Sequence, residues 1–176
     1  MKIVLALVAV LGAAILGGLL FILSGAFNVA AIEPDSAVSE WILHTTMRRS
    51  VAMRSSGIAA PKRFTDEQVR KGFKEFAAMC VGCHGAPGRM RNAAGRGLNP
   101  RAPDLAQAAR NWDNSSLFWI VKNGVRMTGM PAFGATHDDE TLWNIVAFVK
   151  HLPNITSAQY SKLEEQAAES GHMHEH

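Results

Sequence analysis

The chain has 176 residues, 48% of them hydrophobic and 19% charged, which excludes a disordered polyelectrolyte and leaves room for one ordinary domain with additions. The net charge of +3 is uneven: one Lys against three acids over 1–47, 15 Lys/Arg against five acids over 48–126, and two Lys against seven acids over 127–176. Cys80 and Cys83 are the two cysteines, and one short-range pair cannot staple a disulfide scaffold.

From Ile3 to Ile32 the chain carries no charge, and Ile3 to Leu23 is its most apolar part. A bilayer core of about 30 Å takes about 20 apolar residues as helix, so this run can span. A signal peptide has an apolar core of about 7–15 residues, which is shorter than this one. Ser24-Gly25-Ala26 and Val29-Ala30-Ala31 are weak small-x-small cleavage sites. Length favours an uncleaved transmembrane anchor over residues 1–32, with a long signal peptide as its rival. Lys2 precedes the run, and the first basic residue after it is Arg48. The positive-inside rule therefore places the amino terminus in the cytoplasm. Residues 33–176 are exported on either reading.

Residues 33–63 read as a juxtamembrane helix and linker. Asp35 or Ser36 can cap a helix to about Arg54, with Val38, Trp41, Ile42 and Val51 on an apolar face that rests on the membrane or on the domain. Arg48, Arg49 and Arg54 add charge suited to lipid phosphates or to carboxylates of a cofactor. Gly57 and Pro61 mark a linker over Ser55 to Arg63. Thr65 and Gln68 form a capping box. Behind it, Val69, Gly72, Phe73, Phe76 and Cys80 share one face. Gly72 costs about 1 kcal/mol of helix propensity against Ala, which points to a close backbone approach. Residues 82–103, rich in Gly, Pro and Arg, read as a loop, and 104–110 as a short helix. Asn114 or Ser115 caps a helix stopped by Gly124. Residues 129–134 read as a second loop. Thr136 or Asp138 opens a helix through Leu142, Trp143, Ile145, Val146, Phe148 and Val149 that Pro153 ends. Strand alternation is absent, so the exported domain is expected to be all-α.

Cys80-Val81-Gly82-Cys83-His84 fits C-x-x-C-H, the attachment pattern of covalent c-type haem. Two thiols three residues apart reach the two vinyl groups of one porphyrin. The adjacent His84 then meets the iron as proximal ligand. A thioredoxin-like pair needs a βαβ context and a zinc site needs further ligands; both are missing. A sixth ligand must come from elsewhere. Among eight Met, Met127 and Met130 lie well downstream in a loop between two apolar helices, and Met90 is too near His84 to cross the haem. Met127 also reads as a packing Met at a helix end.

The order of helix, C-x-x-C-H, Gly/Arg loop, Pro103-Asp104-Leu105, helix, Gly129-Met130-Pro131 and aromatic helix resembles the class I cytochrome c family, specifically small bacterial membrane-anchored monohaem members. The resemblance covers about Phe64 to Pro153 and makes residues 64–153 the haem domain. It implies an all-α class I fold in which helices 65–83 and 138–152 cross near Gly72, with Phe76 and Trp143 or Phe148 packed there. It implies one covalent haem c with iron between His84 and Met130. It also places a proline carbonyl on the other nitrogen of the proximal histidine: Pro103, with Pro100 as the alternative.

Met/His ligation with no open iron position implies one-electron transfer rather than catalysis. The expected role is a carrier between a quinol-oxidising complex or dehydrogenase and a terminal oxidase or reductase, on the periplasmic side of a bacterial inner membrane. A permanent haem subunit of a larger oxidoreductase and a haem-based gas sensor are the alternatives. Expected partners are the lipid bilayer and redox proteins. No nucleic acid is expected, since the basic segment is exported and holds no nucleic-acid motif, and no small-molecule substrate. Arg89, Arg91, Arg96 and Arg101 lie on the loop beside the haem and can steer encounters. His137 and His151 read as helix-end polar residues. The polar tail, 154–176, begins helically near Tyr160 and Leu163, and its closing His172, His174 and His176 are spaced to bind Cu²⁺ or Zn²⁺.

Overall fold

The computed structural model describes residues 1–172. The chain divides into two compact units, Met1–Pro34 and Asp35–His176. The first is essentially one helix, α1 (Lys2–Leu23), with a mean hydropathy of 2.8 and no buried side chain. Among the described residues it is the one helix long and apolar enough to cross a membrane, a test that a signal sequence also passes.

In the second unit the helices follow as α2 (Ala37–Ser55), α3 (Asp66–Met79), α4 (Val81–His84), α5 (Ala93–Arg96), α6 (Leu105–Asn111), α7 (Asn114–Asn123), α8 (Asp139–His151) and α9 (Ser157–His172). No strand forms among the described residues, and the unit is all-α as the lack of alternation implied.

The local signals act where their chemistry places them. Ser36 caps α2, accepting from Ser39 N at 3.1 Å. The Thr65–Gln68 box is reciprocal, with Gln68 N donating to Thr65 Oγ1 at 3.2 Å and Thr65 N to Gln68 Oε1 at 3.0 Å. Asp138 caps α8. For α7 the cap is Asp113, one residue before the expected Asn114 or Ser115, and its Oδ1 accepts from Ser116 N at 2.6 Å.

The displaced caps have another use. Asn114 Nδ2 donates to Pro61 O at 2.9 Å, and Ser115 Oγ to Ile58 O at 3.2 Å. They satisfy the backbone of the segment expected to be a linker, which is therefore packed onto α7. At its first residue, Ser55 and Ser116 share a buried hydroxyl hydrogen bond of 3.0 Å. Only the second half of α2 joins the domain: Val51 is buried, while Val38, Trp41 and Ile42 are exposed. The expected single apolar face is thus split between two directions.

The core centres on α3 and α8. A Cβ at Gly72 would overlap the carbonyl of Asn144 and lie 3.1 Å from Phe148 Cβ, so the two helices cross with backbone nearly in contact. Around this point Phe148 packs against Phe76 and Phe73, with ring centroids 5.0 and 5.3 Å apart. Trp143 takes a different role, stacked on Phe118 at 4.1 Å and near Phe64 at 6.3 Å. The tail also departs from expectation. Its helix runs to His172, and Tyr160 is fully buried with its ring 5.5 Å from Phe73. His174 and His176 lie outside the described residues.

The crossing gives a test. Gly72→Ala gains about 1 kcal/mol of helix propensity. It also forces two backbones apart, and overpacking of this kind costs about 1–3 kcal/mol or more. The net expectation is a loss, read as a lower midpoint in thermal unfolding of the haem-loaded protein, with a larger loss for Gly72→Val.

Candidate haem site

The C-x-x-C-H segment begins where α3 ends. Cys80 is the C-cap of α3, its N–H donating to Phe76 O at 2.9 Å, and α4 winds one turn through His84. Gly85 follows with φ of +73° and turns the chain away. This packing makes α3 the support of the motif. Cys80 and Val81 lie partly buried against the apolar core that holds Phe76 and Phe148.

The turn is braced from outside. A Cβ at Gly95 of α5 would come within 2.5 Å of Gly82 O and 2.6 Å of Cys83 Cα. Asn92 N donates to Gly82 O at 2.8 Å. So the Gly/Arg loop folds back onto the cysteine turn. From the other side, Arg89 pairs with Glu164 of α9 and donates to Ser161 Oγ at 3.2 Å. A Cβ on Gly88 would stand 3.0 Å from Ser157 Cβ. Arg89, expected on a partner-facing patch, is instead committed to holding α9 on this loop. Sequence reading had no means to find its partners, 72 and 75 residues away.

His84 Nδ1 lies 2.8 Å from Pro103 O. A carbonyl only accepts, so Nδ1 carries the proton and Nε2 keeps its lone pair. Burial pushes the imidazole below its ordinary value, Arg91 adds to this, and the Pro103 bond opposes both. A neutral imidazole is the form that binds a metal. Asp104, next in the chain, accepts from Ala106 N at 2.8 Å and starts α6, which fixes where Pro103 points.

Burial pushes the Cys80 thiol up to about 12, with Cys83 and Glu75 adding to it. A thiol so high is a poor thiolate, unlike those of redox-active dithiols. No disulfide joins Cys80 and Cys83.

The methionine loop is built from Gly124. Its φ is +65°, and a Cβ there would lie 2.7 Å from Met130 O. Val125 N donates to Met130 O at 3.3 Å, Thr128 Oγ1 to Val125 O at 2.7 Å, and Met130 N to Thr128 Oγ1 at 3.1 Å. These bonds close a tight loop that turns Met130 onto the core, where it is partly buried. Met127 is 77% exposed with φ of +61°, so it packs nothing, contrary to its reading as a gap filler. Met90 is 89% exposed. Gly129 presses on Leu98, which ties this loop to the strand of chain leading to Pro103. His137 bonds through Nδ1 to Thr136 Oγ1 at 2.8 Å, a helix-start role.

These residues fit a haem. Cys80, Cys83 and His84 sit on one turn, His84 is oriented through Nδ1, and Met130 borders the same core. One further observation agrees. Arg91 Nη1 is buried with no hydrogen-bond partner, while Arg91 Nε reaches His84 O at 3.4 Å. A buried guanidinium nitrogen without an acceptor suits a group that brings its own carboxylates, as haem does.

The family profile described as cytochrome c oxidase, cbb3-type, subunit III matches residues 67–149. That span runs from the start of α3 to the end of α8 and includes every residue of the site. No curated protein matches the chain. Residues 67–149 thus belong to the c-type cytochromes, an all-α domain of the class I kind that transfers electrons through covalently bound haem c.

Proposed function

We propose that this chain is a single-haem electron carrier tethered by α1 to a bacterial cytoplasmic membrane, with its haem domain on the periplasmic side. It takes single electrons from a quinol-oxidising complex or a dehydrogenase and hands them to a terminal oxidase or reductase. The observation that carries this reading is the 2.8 Å bond between His84 Nδ1 and Pro103 O on a C-x-x-C-H turn.

Haem c supplies a one-electron iron couple. Cys80 and Cys83 would hold it by two thioethers, and His84 Nε2 and Met130 Sδ would bind its iron. Pro103 keeps His84 in one tautomer and raises its donor strength. Met130 offers a soft thioether, which favours the reduced metal and a higher potential. With His84 and Met130 both on the iron, no position would remain for a gas or a small substrate. Phe76, Phe148 and Leu142 are fully buried in the core against which Cys80 and Val81 pack.

A second reading is supported by the family description itself, which names an oxidase subunit. In it the chain is a permanent haem subunit of a larger membrane oxidoreductase. Purification in mild detergent separates the two: a carrier comes away alone, whereas a subunit brings stoichiometric partners.

Three outcomes are expected. A denaturing gel stained for haem peroxidase activity shows a band at the size of the protein, and the Cys80→Ala, Cys83→Ala double variant loses it. The oxidised protein shows the weak near-infrared charge-transfer band of Met-ligated haem. Met130→Ala abolishes that band and Met127→Ala keeps it; the reverse would assign the ligand to Met127. Mass spectrometry finds the mature protein retaining residues 1–32, and it stays with membranes after high-salt washing. A mature terminus near Phe27 or Ile32 would instead leave a soluble shuttle.

A further inference from the structure

The first half of α2 carries an apolar stripe that faces away from the haem domain. Val38 and Trp41 are 67% and 68% exposed, and Ile42 is 48% exposed. At 3.6 residues per turn, Thr45, Arg49 and Ala52 continue the same face, while Glu40 lies opposite. The stripe runs into a cleft of about 410 Å³ between α2 and the α6–α7 turn. Thr45, Arg48, Arg49, Asn111, Trp112 and Asp113 line it. The Arg48 guanidinium is held 4.5 Å from the centroid of the Trp112 ring. The Asp113 carboxylate is engaged as the α7 cap, and no ion pair among the described residues takes Arg49.

We propose that α2 is an interfacial helix that lies on the bilayer surface. Val38, Trp41 and Ile42 enter the acyl boundary, and the Arg48–Arg49 cleft receives the phosphate of an anionic lipid. The proposal rests on α1 being a membrane anchor. Given that, chain length confines α2. Thirteen residues separate Leu23 from Ala37, a reach of at most about 45 Å when fully extended. An exposed apolar face bordered by arginines is the composition of surface-lying helices, and Trp is favoured at the membrane–water interface. The other face of α2 is locked to the domain by Val51 and the Ser55–Ser116 bond. Docking α2 on lipid therefore fixes the tilt of the haem domain, which a flexible tether would leave free.

The test uses the full-length, haem-loaded protein in lipid vesicles. Thioethers consume Cys80 and Cys83, so one introduced cysteine takes an environment-sensitive fluorophore. Three labelled variants are compared: Leu11→Cys in the anchor, Ile42→Cys on the stripe and Lys74→Cys on the exposed side of α3. Vesicles are phosphatidylcholine alone or mixed with phosphatidylglycerol. The Ile42 label should shift to the blue and be quenched several-fold more by lipid-borne nitroxide than the Lys74 label, which aqueous iodide quenches. Phosphatidylglycerol should increase the difference, and the Arg48→Gln, Arg49→Gln pair should remove that increase with the haem spectrum unchanged. An Ile42 label as aqueous as Lys74, with Leu11 in the acyl core, overturns the interfacial helix and leaves the anchor standing. An aqueous Leu11 label overturns both. An Ile42 label shielded equally in detergent and in lipid, with a doubled particle mass, assigns the stripe to a second copy and also overturns it.

Discussion

The close crossing of α3 and α8 at Gly72 is the constraint on which the haem domain depends. With hydrogen in place of a side chain, the α3 backbone settles against the Asn144 carbonyl of α8. That approach brings Phe73 and Phe76 of one helix onto Phe148 of the other. The Cys80 N–H donates to Phe76 O at 2.9 Å, so the last turn of α3 leads directly into the one-turn α4. A wider spacing at Gly72 would move the whole C-x-x-C-H turn relative to the Met130 loop, whose own anchor at Gly124 is fixed by a second close approach. The placement of both segments therefore rests on two glycines, Gly72 at the helix crossing and Gly124 against the Met130 backbone.

Outside this centre, charge is used mainly as mechanical fastening. Arg89 and Glu164 join the loop after His84 to α9, and Lys150 Nζ donates to the carbonyls of Ala109 and Trp112 at 2.8 and 3.0 Å, tying α8 to α6. Lys122 pairs with Asp139 across the methionine loop at 2.6 Å. Exposed pairs of this sort contribute little stability, but they join segments that flank the motif. The strongly basic segment 48–126 thus divides. Arg89 and Lys122 are engaged internally, whereas Arg48 and Arg49 line an open cleft beside an apolar stripe.

A membrane tether and a tightly braced motif suit each other. An electron carrier held near its partners gains in effective concentration, into the mM range for short flexible links. It gains only if its redox centre keeps one geometry during each encounter. The braced cysteine turn, the buried aromatic core and the close α3–α8 crossing would supply that geometry.

The amino-acid sequence by itself determined what depends on near neighbours in the chain. Cys80, Cys83 and His84 are read from five consecutive residues, the Thr65–Gln68 box from four, and a helix long and apolar enough to span from an uninterrupted apolar run. Gly72 was legible because a helix interior tolerates glycine only for a reason. The all-α character followed from helical periodicity without alternation. Tertiary structure alone decided what joins distant residues. A carbonyl's direction is not encoded in composition, so only folding sets Pro103 rather than Pro100 against His84. Asn114 and Ser115 look like caps locally, yet they bind Pro61 and Ile58 because α2 and its following segment dock there. Arg89 reads as a steering charge until Glu164 is brought beside it. Tyr160 reads as the start of a polar tail, and becomes core because α9 closes over Phe73. Each of these rests on the packing of elements many residues apart, where the pairing of polar groups and apolar faces is fixed by geometry that no local pattern contains.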